Sequence, residues 1–535
     1  MLIGDCVVRC ARQPHTRKME AIVFKDRRYN WQQVNEAANS LAHGLQELGV
    51  KKGDRVALLL YNSDAILLSY YGITKIAVVL PVNYMISKKE MTYILSDSGA
   101  EVLIISNNLL FNLDAIKAEC PNIKKIIVYD QDGSGIPAGF INFDDLIHKF
   151  SKEEPIPSDP ITDREMAYLM YTGGTTGMPK GVMLSHFNLL QNSLASGSYN
   201  TQKMEVGEMR VLVAIPFFHV AANISAIQAA LTGYTIVTQD SFVISQFLEA
   251  LVKERCIGFG LVPTMINLMI NAPELEKYKE YLPNVKMIVY GASPIAPAVL
   301  RKLLDTFRNA DVFQYFGQTE YSPVMAVLEP MDHKKALQPG NEYLLAAAGR
   351  AMVGTDIRIV DLDGKDVPLN QVGEILAKGD GTMIGYWRNP EKTKETIKDG
   401  WLYTGDMGRM DEEGYIYVVD RRKDMIISGG ENIYSKEVED AIYTHPAVLE
   451  CAVIGIPDDR WGEAVHAIIV LKKGFKKGVN VSKEEIIAHV KDQIARYKAP
   501  KSVEFKLSIP KSAQGKMLKK DLRKKFWEGK ERKVA

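Results

Sequence analysis

Residues 171–181 read Tyr-Thr-Gly-Gly-Thr-Thr-Gly-Met-Pro-Lys-Gly, the segment of the chain best equipped to hold an anion. Gly173, Gly174 and Gly177 carry no side chain, so backbone N–H groups there can approach a ligand closely. Thr172, Thr175 and Thr176 add hydroxyl donors, and Lys180 adds a positive charge. This is phosphate-binding chemistry. It differs from the P-loop of nucleoside triphosphatases, in which Ser or Thr directly follows the lysine, because Gly181 follows Lys180. The run Met166–Met170 before the loop has the character of a buried strand, and residues 182–193 after it are expected to form a helix.

The elements around the loop alternate. Residues 55–60, 101–106 and 124–130 are apolar runs that predict buried strands. Trp31 to Leu48 places Val34, Ala37, Ala38, Leu41, Leu45 and Leu48 at helical spacing, and Gly49 stands where a helix ends. Strands alternating with helices predict a largely parallel α/β sheet. A Pro- and charge-rich break covers residues 151–165, and a second alternating block follows, with strands expected in 256–262, 285–291 and 311–316. From about residue 345 the texture changes to short strands with Gly and Asp turns, which predicts a small β-rich, barrel-like unit. The charged run Asp420–Asp424 precedes a compact α+β unit. The expected plan is an α/β body of residues 1–420, with subdomains near 1–165, 166–345 and 346–420, and a small separable domain of residues 421–535.

At ~150 residues per domain, 535 residues suit three or four units. Hydrophobic residues at 46% and charged residues at 24% exclude a disordered chain, a collagen-like fibre and a small disulfide scaffold. The net charge of +1 gives no global basic field for nucleic acid. It conceals an asymmetry, since residues 501–535 hold twelve Lys/Arg and four Asp/Glu, leaving 1 − 8 = −7 for the rest. Cysteines at 6, 10, 120, 256 and 451 are scattered and complete no metal site, which predicts free thiols in a reducing cytoplasm. The N-terminal run has an Asp within it and makes a poor signal peptide. Val211 to Gln239 lacks formal charge over a membrane-spanning length, but Pro216, His219, Asn223, Gln228 and Gly233 interrupt it. A buried strand, a turn at Pro216 and a helix from near Asn223 are expected instead.

The eleven-residue loop resembles the signature of the adenylate-forming superfamily, which includes acyl-CoA synthetases, firefly luciferase and the adenylation domains of peptide synthetases. Gly173 stands where the common form has Ser. The resemblance extends in order to residues 316–320 (Phe-Gly-Gln-Thr-Glu), 403–406 (Tyr-Thr-Gly-Asp), 420–424, 428–439 and 510–520. It implies ATP, Mg²⁺ and CoA as reactants: a carboxylate attacks the α-phosphate of ATP, pyrophosphate leaves, and a thiol then takes the acyl group. By the same resemblance Glu320 holds Mg²⁺ and Thr319 bonds the α-phosphate. Phe316 stacks on adenine in place of the usual Tyr, with Tyr315 and Gly317 beside it, and Gly291, Ala292 and Ser293 line the adenine turn. Asp406 and Arg421 take the ribose, Lys423 is the hinge, and Lys516 is the catalytic lysine of adenylation, beside Thr175 and Lys180 in the loop. Ser428, Gly429, Gly430 and Glu431 enter the site after a domain rotation and line the pantetheine channel.

Pro216-Phe217-Phe218-His219 resembles the family's Pro-x-x-His element at the acyl site, with Val220, Ala221, Val262 and Met325 around it. A packed structural histidine is nearly as good a reading of His219. No Asp lies between 211 and 239 to pair with a substrate amine, which disfavours amino acids. Acetate-specific relatives carry Trp where this chain has Gly317, so room for a larger apolar acid is expected there. Medium or branched fatty, alicyclic and aromatic acids remain, with CoA the favoured acceptor and a carrier protein in trans the alternative. A luciferase-like oxygenase and a non-catalytic nucleotide sensor fit the sequence less well. No membrane span or nucleic-acid partner is expected, and an oligomer is open.

Overall fold

The computed structural model describes residues 1–173, 178–199, 209–361, 363–429, 431–511 and 517–528. Four sheets organise them. An eight-stranded sheet runs, in spatial order, Gly385–Tyr386, Lys180–Ser185, Met166–Thr172, Val78–Pro81, Arg55–Leu59, Val102–Ser106, Lys125–Tyr129 and Ile141–Asn142. A nine-stranded sheet includes Arg210–Val213, Gly258–Leu261, Met287–Gly291, Asp311–Gly317 and Val324–Leu328. Most neighbouring pairs in these two sheets are parallel, joined by helices, as the alternation predicted. The helix Trp31–Glu47 carries its apolar stripe inward, capped by Asn30 through Gln33, and Gly49 follows with φ of 93°.

The sheets do not respect the blocks read from sequence. Glu20–Phe24 and Arg27–Asn30 leave the first block and complete the nine-stranded sheet beside Thr235–Thr238. The hairpin 166–185 leaves the second block for the eight-stranded sheet, and Gly385–Tyr386 leaves the β-rich block to pair with Val182 and Met183. The expected boundary near 165 therefore cuts sequence texture but not sheet membership.

Residues 180–185 also correct an expectation, being a strand where a helix was anticipated. Val182 and Leu184 are buried while the strand pairs with Met166–Thr172 on one side and 385–386 on the other. The helix begins only at His186, where Ser185 accepts from Asn188 N and the Asn188 side chain returns the bond.

The uncharged stretch folds as strand Arg210–Val213, helix Val220–Thr232 and strand Thr235–Thr238, with His219 rather than a residue near Asn223 at the helix start. No helix among the described residues is long and apolar enough to cross a membrane. Strands Thr355–Val360, Gly373–Gly379, Trp401–Met410 and Ile416–Arg421 belong to a five-stranded, largely antiparallel sheet. Beyond it, strands Ile426–Ser428, Glu431–Ile433, Val448–Asp458, Gly462–Leu471 and Ser502–Phe505 form a fourth sheet. Ile433, Val438, Ile442, Val453, Ile469 and Val490 build that unit's own core.

Candidate functional site

The loop expected to hold phosphate joins two antiparallel strands. Thr172 and Lys180 face each other at the loop end of the hairpin, where the register pairs them directly. Gly174, Thr175, Thr176 and Gly177 lie outside the described residues. Gly173 is exposed, and a Cβ built there would meet nothing within 4 Å, so crowding does not explain its replacement of Ser.

Lys180 begins the strand that pairs with Gly385–Tyr386. Its Nζ lies 5.6 Å from the centroid of the Tyr386 ring, a cation–π contact worth ~0.5–2 kcal/mol by general measure. The hydroxyl of Tyr386, a buried residue, donates to Glu320 Oε1 at 2.9 Å. Burial pushes the Lys180 ammonium below its ordinary pKa, Lys392 adds to that, and the Glu320 carboxylate opposes it. Glu320 sits in a short 3-10 turn whose backbone is fixed from two sides. Its carbonyl accepts from Met383 N at 2.9 Å. The side chain of Asn192, from the helix His186–Gly197, donates to Tyr321 O at 3.0 Å and Val324 O at 2.8 Å. Tyr386 and Asn192 were both missed in sequence. Neither has a chemical signature of its own, and each acts on residues far away in sequence, Tyr386 across 66 positions to Glu320 and Asn192 across 129 to Tyr321.

Two expectations around the adenine and acyl sites need correction. A Cβ on Gly317 would fall on the carbonyl oxygen of Pro323, so this glycine is required by backbone approach and does not open room for an acyl chain. Tyr315 was expected at the adenine beside Phe316. Its hydroxyl instead donates to Ser196 O at 3.1 Å, on the helix His186–Gly197. Gly291 is registered against Tyr315, and a Cβ there would fall on the Tyr315 carbonyl oxygen. The turn continues through Ala292 at φ of 68°, an uncommon conformation for alanine. His219 immediately precedes the helix Val220–Thr232, its ring 4.7 Å from that of Phe218, which meets Tyr84 edge to face at 5.2 Å. Val220, Val262 and Met325 are core side chains, whereas Ala221 is half-exposed.

Asp406 and Arg421 face each other across adjacent strands, with Arg421 Nε 2.6 Å from Asp406 Oδ1. Asp406 is buried, and its carboxylate is the main reason the Arg421 guanidinium is held charged; Glu320 contributes to the same field. Glu320 is thus felt by both Lys180 and Arg421, which gathers the loop, the Glu320 turn and the Asp406–Arg421 pair into one region. Gly405 makes the turn before Asp406 with φ of 72°, and its N–H donates to Glu374 Oε1 at 3.0 Å.

Lys423 follows at the junction with the small domain. Burial brings its ammonium down to about 8, with Arg421 adding to the effect and Asp424 and Asp406 opposing it. Polar contacts cross this junction. Asp420 Oδ2 accepts from the backbone N and Oγ of Ser435 at 2.5 and 2.7 Å, and Lys519 Nζ donates to the same Ser435 Oγ at 2.6 Å. Arg523 pairs with Asp424 at 2.7 Å. Ser428 and Glu431 pair in a hairpin on the small domain, and Gly429 N donates to Trp461 O at 2.8 Å within that domain. Gly430 and Lys516 lie outside the described residues.

A carboxylate, two cations and hydroxyl donors in one region suit a polyanionic ligand with a hard dication. Glu320 fits the dication, since Oε1 carries the Tyr386 bond and Oε2 takes no hydrogen bond among the described residues.

Known proteins resemble this chain over nearly its whole length. The family model for AMP-binding enzyme matches residues 9–387, and that for the AMP-binding enzyme C-terminal domain matches residues 437–516. The chain is 36% identical over 504 residues to the long-chain-fatty-acid–CoA ligase FadD13 of Mycobacterium tuberculosis, covering 94% of each protein. It is 33% identical to the fatty acid–[acyl-carrier-protein] ligase ScoC of Streptomyces coeruleorubidus, covering 97% of this chain and 96% of that one. Its fold overlays ATP-bound MatB from Rhodopseudomonas palustris with a TM-score of 0.85 at 27% identity, covering 98% of this chain and 99% of that one. The chain belongs to the AMP-binding enzyme family, the adenylate-forming ligases.

Proposed function

We propose that the chain joins an apolar carboxylic acid to the α-phosphate of ATP, releases pyrophosphate, and passes the acyl group from the adenylate to the thiol of CoA. The observation that carries this reading is the convergence of Lys180, Glu320, Asp406 and Arg421 on one region built from three sheets. Both reactants of the first step are anions. Their approach is opposed until cations and donors take up charge on the phosphate oxygens.

Lys180 and the loop donors Thr172, Gly173, Gly174, Thr175, Thr176 and Gly177 serve the phosphates in this reading. Thr319 serves the α-phosphate, while Glu320 holds Mg²⁺, which supplies charge neutralisation when bound. Phe316 stacks on the base above the turn at Gly291. Asp406 keeps acceptor capacity for ribose hydroxyls, because each carboxylate oxygen has two lone-pair sites and Arg421 uses one. Lys516 supplies the cation of adenylation, and the hairpin of Ser428 and Glu431 serves the thiol step after rotation at Lys423. His219 borders the acyl site from the helix start. The site works in the cytoplasm.

The acceptor has a second reading, supported by ScoC, whose name assigns it a carrier protein. A screen of pyrophosphate release across fatty, alicyclic and aromatic acids, with CoA or an acyl carrier protein added, tests both. CoA-dependent thioester on at least one apolar acid is expected. Release without any acyl-CoA, together with acyl-carrier product, selects the alternative, and no release with any acid overturns the activity itself.

A further inference from the structure

Lys180 and Glu320 carry opposite charges and the Glu320 carboxylate acts on the Lys180 ammonium, yet among the described residues no ion pair joins them. The side chain of Tyr386 lies between, its ring face toward Lys180 Nζ at 5.6 Å and its hydroxyl on Glu320 Oε1 at 2.9 Å. The backbone on either side of this tyrosine is anchored to both partners' elements. Met383 N donates to the carbonyl of Glu320 at 2.9 Å, and Trp387 N donates to Gly181 O, next to Lys180, at 2.7 Å. Between them Ile384 N donates to Met183 O at 2.9 Å, and Tyr386 N donates to Thr393 Oγ1 at 2.9 Å. Gly385, at φ of 151°, packs against Thr393 so closely that a Cβ there would lie 2.8 Å from its methyl carbon. Five residues therefore wedge one rigid aromatic ring between a cation and an anion and lock it there.

We infer that Tyr386 is a positioning residue, a spacer that keeps Lys180 and Glu320 from neutralising each other in the ligand-free enzyme and so leaves both available to the metal–triphosphate. The physical ground is simple. A half-buried Lys–Glu pair that closes to ~4 Å gains Coulomb energy that a ligand must then repay before it can use either group. A ring with a hydroxyl at its edge satisfies the carboxylate by one bond and the ammonium by its face, without contact between the two. The inference rests on the proposed roles of Lys180 and Glu320 and adds a residue that those roles do not include.

The test compares Tyr386→Phe, which keeps the ring and loses the hydroxyl, with Tyr386→Leu, which loses the spacer. Binding of Mn²⁺·ATP is read by calorimetry, alongside thioester formation from supplied acyl-adenylate. The phenylalanine variant should weaken Mn²⁺·ATP by ~2–5-fold and the leucine variant by ~30-fold or more, in line with the larger cost of freeing a closed charge pair. Thioester formation from supplied adenylate should stay within ~2-fold in both, since that half-reaction uses no triphosphate. A structure of the ligand-free leucine variant should place Lys180 Nζ within ion-pair distance of Glu320. Equal weakening by Phe and Leu overturns the spacer, and so does parallel loss of both half-reactions, which marks general damage. If the unmodified enzyme fails to bind Mn²⁺·ATP, the proposed activity fails first, and the variants are not its cause.

Discussion

At the junction with the small domain, charges are paired. Arg421 meets Asp406 at 2.6 Å, Arg523 meets Asp424 at 2.7 Å, and Lys519 meets Glu439 at 2.7 Å. Asp420 is held by two bonds from Ser435 across the junction. In the corner of the body, Lys180 and Glu320 share a tyrosine and do not pair. Pairing fixes the geometry of the junction side chains and leaves Asp406 only its spare acceptor sites for a ligand, whereas charges held apart keep their field for whatever arrives. The junction holds its charges in pairs, and the corner remains incomplete until a ligand fills it.

The sharpest way to break this contrast is to remove charge from the corner. Glu320→Gln keeps a shape able to accept from Tyr386 and loses the negative charge. Pyrophosphate release should fall by ~10²–10³-fold, the range seen when one preorganised electrostatic group is lost. Thioester formation from supplied acyl-adenylate should change by only a few-fold, on the order of ~2–3. Equal loss in both assays would make Glu320 a structural residue and dissolve the distinction between the regions.

The two regions also differ in how far sequence could reach them. Asp406, Arg421 and Glu320 stand in short local strings, and the segment that carries each string also presents its side chain. Tyr386 gains its place only because residues 385–386 cross to pair with residues 182–183, a contact that no local pattern encodes. The strand at 180–185 was mistaken for the start of a helix because Val182, Leu184, Leu189 and Leu190 suit either period, and only pairing on both sides decides it. Gly317 was read as open space, yet the backbone of Pro323 fills the direction its side chain would take. The small domain was legible as a compact α+β unit, since its strands and helices are consecutive in sequence.

The junction itself is tested by stiffening it. Lys423→Pro fixes one backbone dihedral near −65° and removes an N–H. If the junction must turn between half-reactions, adenylation should remain measurable while thioester formation falls by ~10-fold or more. Untouched thioester formation would remove the need for rotation here.

The smallest effect concerns Lys423, whose surroundings lower its ammonium's pKa. Lys423 is brought from its ordinary value of 10.5 to about 8, chiefly by burial and next by Arg421. Below pH 8 the lysine is protonated both folded and unfolded, and the folded protein carries the full cost of the buried charge. Between 8 and 10.5 the unfolded chain binds the extra proton and the folded one does not, so stability from this group rises with pH across that window. Lys423→Met removes the cost. The variant should melt ~1–3 °C above the unmodified protein at neutral pH, with the difference shrinking through that window and gone above it. Thermal denaturation at matched ionic strength on both sides of the window measures this directly. A pH-independent gain would reflect better packing by methionine alone. A loss at neutral pH would mean that the attraction of Asp424 and Asp406 outweighs burial and Arg421.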